Sequence, residues 1–215
     1  MKTFKKKFLS AERFLNDLEA REHMPSWAVP EIYAIDTVNL TAEYEFFSCP
    51  MSISDNSDLM SLVEFFSNVH KYIEVSFSRL IHENREAEIP RYGNTTEINE
   101  MNQKVLSLLG IGGFYLPVKI GDLKPEHLFI TDNNTIKICD YETVGLGLLL
   151  EDMAFLPLCC EATPWLDFKG ALGYYLYCRY GVTPDAQSIT RSINQVSAFL
   201  ASQLPFFEAY KNYWE

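Results

Sequence analysis

Two short apolar stretches, Leu128–Thr131 and Ile136–Cys139, flank the turn residues Asp132-Asn133-Asn134. Strand-length runs on either side of such a turn read as a β-hairpin. A hairpin brings its two ends back to one edge of a sheet, so the residues before the first strand lie beside those after the second. Here Gly121-Asp122-Leu123-Lys124-Pro125-Glu126-His127 leads in and Asp140-Tyr141-Glu142 leads out. The hairpin therefore brackets itself with two aspartates, Asp122 and Asp140, 18 positions apart. Any fold for this chain has to accommodate that pairing. The plain alternative is two turn aspartates with no shared task.

Periodicity marks the elements around this segment. Residues 2–8 alternate, with Phe4, Lys6 and Phe8 on one side and Lys5 and Lys7 on the other, as in a short strand. Ser10 is placed to cap a helix over 11–23. Strand-like segments come next at 31–35 and 40–47, after Pro25 and Pro30. From Asp58 to His82 apolar residues recur at steps of three and four (Leu59, Leu62, Val63, Phe66, Val69, Ile73), which predicts a long amphipathic helix. Asn94-Thr95-Thr96-Glu97 looks like a capping box opening a helix that ends at Gly110. Residues 114–120 read as a short strand or extended entry, and 150–214 as helices broken at Pro164, Pro184 and Pro205.

Composition excludes several classes. The net charge of −11 opposes a nucleic-acid partner, because binding phosphate backbones needs a basic face. No apolar run of 18 residues is present to span a membrane. The lysines at 5–7 precede a polar segment from Ser10 to Glu22, so no signal-peptide pattern is expected. Five cysteines, none in a CxxC pair, read as reduced small hydrophobes. The expected location is the cytoplasm; a secreted effector would carry the same composition.

Two carboxylates held by one hairpin suit phosphoryl transfer. One orients the attacking hydroxyl and accepts its proton; the other holds a divalent cation against the phosphates. The stretch from Ile120 to Glu142 resembles the aminoglycoside phosphotransferase and choline kinase branch of the protein-kinase-like superfamily. Those proteins carry His-Gly-Asp, then an Asn, then Asp-Trp/Phe-Glu after a hairpin. The resemblance implies that Asp122 is the catalytic Asp, Asp140 the magnesium-binding Asp and His127 the counterpart of the metal-binding Asn. Asp152 resembles the Asp that buttresses the loop, and Lys124 stands where a lysine commonly meets the γ-phosphate. Two departures stand out: Ile120 replaces the His, and His127 replaces the Asn. Imidazole suits softer divalent ions than magnesium, so manganese becomes a second candidate. A His127 that only braces the loop is the other reading.

The resemblance also implies a strand lysine on the phosphates, paired with a helix carboxylate. Lys6 and Asp17 fit, with Arg13-Phe14-Leu15-Asn16-Asp17 similar to the family's Phe-x-Asn-Glu. Lys5 and Lys7 compete, separated from Lys6 by alternation alone. The linker between lobes would be Phe46–Pro50, which places Phe46 and Cys49 beside the adenine of ATP. A Gly-rich hairpin should precede the lysine, yet only Met1–Lys5 stand before it and no glycine occurs before Gly93.

The expected fold is therefore α+β, a minimal two-lobed protein-kinase-like arrangement. It comprises a reduced N-lobe over 1–50 and a mainly helical C-lobe over 51–215. The expected function is transfer of the γ-phosphoryl group of ATP, with magnesium or manganese, to a hydroxyl of a small molecule or a protein. The alternative is a pseudokinase that binds nucleotide or acts as a scaffold.

Overall fold

The computed structural model describes residues 2–113, 115–121, 123–131, 133–141, 143–160, 165–209 and 211–214. Its first unit comprises β1 (Thr3–Lys7), α1 (Ala11–Glu22), β2 (Ile32–Asp36) and β3 (Thr41–Glu45). Ser10 starts the helix: its backbone is extended and its hydroxyl accepts from Arg13 N at 3.2 Å. The strands form one antiparallel sheet in the order β1-β3-β2. Phe8, Phe14, Ala42 and Tyr44 make a small core between sheet and helix.

The register of β1 on β3 decides what each residue of β1 can do. Lys2 O accepts from Phe46 N and Leu40 O from Phe8 N, at opposite ends of the ladder. Antiparallel pairs alternate between bonded and non-bonded, so the even-numbered residues turn their backbone groups to β3. Thr3, Lys5 and Lys7 turn theirs to the sheet's outer edge.

The larger unit is helical. Asp55 accepts from Ser57 N and Asp58 N and so begins α2 (Asn56–His82) two residues before the apolar pattern does. α2 buries Leu59, Leu62, Val63, Phe66, Val69, Ile73, Phe77 and Leu80 and packs on α6 (Phe168–Tyr180). α3 (Thr95–Leu109) is capped by Asn94 and closed by Gly110 at φ 65°, the left-handed conformation that glycine adopts without penalty. α4 (Glu151–Ala154), α5 (Leu156–Cys159) and α7 (Ala186–Gln203) complete the core, which Phe207 and Trp214 close at full burial. Pro184 and Pro205 interrupt the helices as the sequence predicts, while Pro164 lies outside the described residues.

Between α3 and α4 the chain builds two nested ladders. β5 (Leu128–Ile130) pairs with β6 (Ile136–Ile138) as the inner hairpin. β4 (Val118–Lys119) pairs with β7 (Gly145–Leu146) outside it. The two loops between the ladders, 120–127 and 139–144, are thus held at both ends. The linker adds to the inner ladder: Met51 N donates to Leu128 O at 2.8 Å and Ile130 N to Cys49 O at 3.2 Å. From the other side, Ile138 N donates to Ala28 O at 2.7 Å and Lys137 Nζ to Val29 O at 2.9 Å. Ala20, Met24, Ala28 and Val29 belong to the larger core, so the segment after α1 rests on the helical unit. Among the described residues, no helix is long and apolar enough to cross a membrane. The whole is a compact two-lobed α+β fold with a reduced sheet lobe.

Candidate active site

Lys6 is the centre of the geometry. On β1 its side chain shares a face with buried Phe8, so it projects toward α1 and the hairpin. Its Nζ donates to Asp17 Oδ1 at 3.1 Å and to Asp140 Oδ1 at 2.9 Å. Alternation thus places Lys6, and not Lys5 or Lys7, at both carboxylates. Burial alone would lower the Lys6 pKa, but the two carboxylates outweigh it and hold the ammonium well above its ordinary range.

Asp17 and Asp140 are fixed differently. Asp17 is buried, and its second oxygen accepts from Tyr44 OH at 2.6 Å. Tyr44 stands on the central strand, so sheet and helix hold the carboxylate jointly. Asp140 is partly open to solvent and adopts φ 63°, a left-handed conformation that costs most side chains but that Asp tolerates. Burial pushes its pKa up, and the Lys6 hydrogen bond and charge reverse this, leaving the carboxyl below its usual range. Tyr141, next in line, is buried and accepts from Arg21 Nη1 at 3.1 Å, which ties the hairpin exit to α1. Burial, and then the charge of Asp17, push the Tyr141 phenol up to about 12.

The loop before the hairpin folds back through a short turn at Pro125–His127. Cys139 N donates to His127 O at 2.8 Å, and the imidazole then faces Asp140, Nε2 to Oδ2, at 3.6 Å. Lys124 begins this turn, and its charge is among those lowering the Asp140 pKa. Asp122 and Glu142 lie outside the described residues. In the flanking residues, Leu123 is buried, and Gly121 N and Ile120 N donate to Asp152 at 2.9 and 2.7 Å. Thr143 Oγ1 donates to Ile120 O at 2.8 Å, joining the two loops directly.

Two candidate residues lie apart from this cluster. The cavity of about 60 Å³ beside Lys6, Asp17 and Asp140 is bounded by Phe4, Pro30, Tyr44 and Glu45, without Phe46 or Cys49. Phe46 is exposed and Cys49 gives its carbonyl to Ile130. Tyr44 and Arg21 join this cluster although the sequence did not single them out. The signal for Tyr44 was its place in an alternating strand; a contact between Arg21 and a residue 120 positions away leaves none.

Among the described residues no group of three or more His, Cys, Asp or Glu could hold a metal ion. Asp140 and His127 make a pair. Ligands at right angles around magnesium sit about 3 Å apart, given bonds of roughly 2.1 Å, so a separation of 3.6 Å fits two ligands of one cation after a small adjustment.

No protein-family model matches the sequence, and no curated protein matches it. Solved structures do. A choline kinase, LicA, from Streptococcus pneumoniae superposes with a TM-score of 0.51 at 16% identity, over 94% of this chain and 79% of that one. A choline/ethanolamine kinase family protein from Mesorhizobium loti gives 0.50 at 13% identity, over 99% and 79%. An aminoglycoside phosphotransferase from Alicyclobacillus acidocaldarius gives 0.50 at 12%, over 99% and 80%. The fold is that of the kinase-like phosphotransferases. Within it, the chain takes the form shared by choline kinases and aminoglycoside phosphotransferases.

Proposed function

We propose that this chain transfers the γ-phosphoryl group of ATP to a hydroxyl, with a small molecule as the preferred acceptor. The observation that carries the reading is the position of Lys6 Nζ between Asp17 and Asp140, on two elements that sequence places far apart. That arrangement holds a cation where phosphates would lie and keeps a carboxylate beside it for a metal. Lys6 neutralises phosphate charge while Asp17, fixed by Tyr44, orients it. Asp140, with His127, would hold a divalent cation, which supplies charge neutralisation between the phosphates when bound. Asp122 orients the acceptor hydroxyl and takes its proton, and Lys124 lies on the γ-phosphate side. Phe46 and Cys49 remain the proposed adenine-facing linker positions, and the lobe boundary falls there, near residue 50.

A second reading, a nucleotide-binding module without efficient turnover, is favoured by the two departures from the family's loop, Ile120 for His and His127 for Asn.

One set of calorimetric and turnover measurements decides between them. ATP with magnesium should bind the parent, bind weakly to Lys6→Met, and fail to bind Asp140→Asn. Asp122→Ala should bind as the parent does while ATP turnover falls by roughly 10²–10⁴. Binding by the parent without turnover selects the second reading. Binding that survives both Lys6→Met and Asp140→Asn would sink both.

A further inference from the structure

The loop that would carry the catalytic Asp has no histidine at 120, but a buried imidazole from α2 reaches the carboxylate that holds this loop. His70 lies in the middle of α2, 2% exposed, on the face packed against α6. Its Nε2 stands 2.8 Å from Asp152 Oδ2 and its Nδ1 2.7 Å from Tyr175 OH. Asp152 in turn accepts from the amides of Ile120 and Gly121, the two residues that lead into Asp122. The contacts form one unbroken line, Tyr175 to His70 to Asp152 to the loop backbone, with its three side chains 2–3% exposed.

One turn further along α2 a second contact holds the same segment. Glu74 Oε1 accepts from Leu116 N at 3.2 Å, and Glu74 Oε2 pairs with Arg179 of α6. α2 thus grips the chain leading into the loop at Leu116 directly and at Ile120–Gly121 through Asp152. The chemistry at each joint is specific. A buried carboxylate must have its lone pairs filled, and two amides alone leave Oδ2 of Asp152 with a single donor. An Nε2–H supplies the missing one, and the Tyr175 hydroxyl completes the ring at Nδ1. Burial pushes the Asp152 carboxyl up, and His70 and the amides more than reverse this, so the carboxylate is the form the site holds.

We infer that His70, set by Tyr175, is a positioning residue for the catalytic loop: it fixes the Asp152 carboxylate, which fixes the Ile120 and Gly121 amides and through them the placement of Asp122. This rests on the proposed phosphotransferase reading for its effect on rate, but not for its effect on the loop.

The test has two arms. Amide hydrogen exchange is measured on parent, His70→Phe, His70→Gln and Tyr175→Phe, with ATP turnover and ATP binding on the same preparations. Gln can donate from its amide to Asp152, and Phe cannot. Exchange at Ile120 and Gly121 should quicken about tenfold or more in His70→Phe and return toward the parent in His70→Gln. Leu149 N, which donates to Asn102 instead, should be unaffected and serves as the control. Turnover should fall roughly 10–100-fold in His70→Phe at unchanged ATP affinity, with Tyr175→Phe intermediate in both arms. A purely structural role predicts a uniform rise in exchange, Leu149 included, and a fall in binding stoichiometry; that result overturns the inference. So does unaltered exchange at Ile120 and Gly121. Should His70→Phe fail to fold, Tyr175→Phe decides alone. A parent that shows no turnover counts against the phosphotransferase reading, while the exchange arm still judges the positioning role.

Discussion

Each oxygen of Asp17 has its own donor, Lys6 on one side and Tyr44 on the other, and that division explains how one lysine can serve two carboxylates. With its second oxygen occupied, Asp17 cannot turn to pull Lys6 away from Asp140. His127 is the residue at which this cluster departs furthest from an all-oxygen metal site. Magnesium accepts nitrogen poorly and manganese accepts it more readily. If the imidazole facing Asp140 ligates, ATP should bind the parent more tightly with manganese than with magnesium, and His127→Asn should reverse that order. Calorimetric titration with each metal checks this, and an unchanged ratio in the variant removes His127 from the metal site. The pairing of Lys6 with Asp17 was expected from alternation on β1 and from the resemblance of Arg13–Asp17 to the family's Phe-x-Asn-Glu. Tyr44, His70 and Tyr175 were not. Their partners lie 27 to 105 positions away, and a buried polar residue carries no local mark of the group it will meet.

The nested ladders hold the site's loops at both ends, and only the inner one was legible as a pair. β5 and β6 declare themselves by composition, and β4 falls within the extended segment expected over 114–120, whereas β7 is two residues, too short for any periodicity. The pairing of β4 with β7 depends on a close approach at Gly145, where an added Cβ would meet Pro90 O and the Tyr92 ring at 2.6 Å. A backbone oxygen cannot swing aside as a side chain can. Gly145→Ala should therefore destabilise the protein by about 1–3 kcal/mol, the usual cost of overpacking, read as a lower urea midpoint. Activity should fall further than stability, since β7 anchors the exit of the 139–144 loop. A midpoint equal to the parent's would show that the outer ladder tolerates displacement. At this scale the long helices were the easiest to read. Asp55 moved the start of α2 by two residues because a side-chain cap outranks the apolar pattern there.

Across the whole molecule the two lobes differ in how firmly each is held. The helical lobe has a continuous core from α2 to Trp214, while the sheet lobe's own apolar cluster is Phe8, Phe14, Ala42 and Tyr44. Its lysine strand is joined to β3 on one side, with the N–H groups of Thr3, Lys5 and Lys7 directed outward. Amide exchange should show the difference, fast at Lys5 and Lys7 and slower at Phe4 and Lys6. Saturating ATP should slow Phe4 and Lys6 further while leaving Leu62 in α2 unchanged; equal slowing at Leu62 would point to global stabilisation instead. A five-residue border strand frays more readily than a core helix, and a molecule with β1 frayed has no ammonium in its cleft. On the proposed reading, nucleotide affinity is then the intrinsic affinity multiplied by the share of molecules in which the strand is zipped. Asp17 and Asp140, by clasping Lys6 before any phosphate arrives, raise that share.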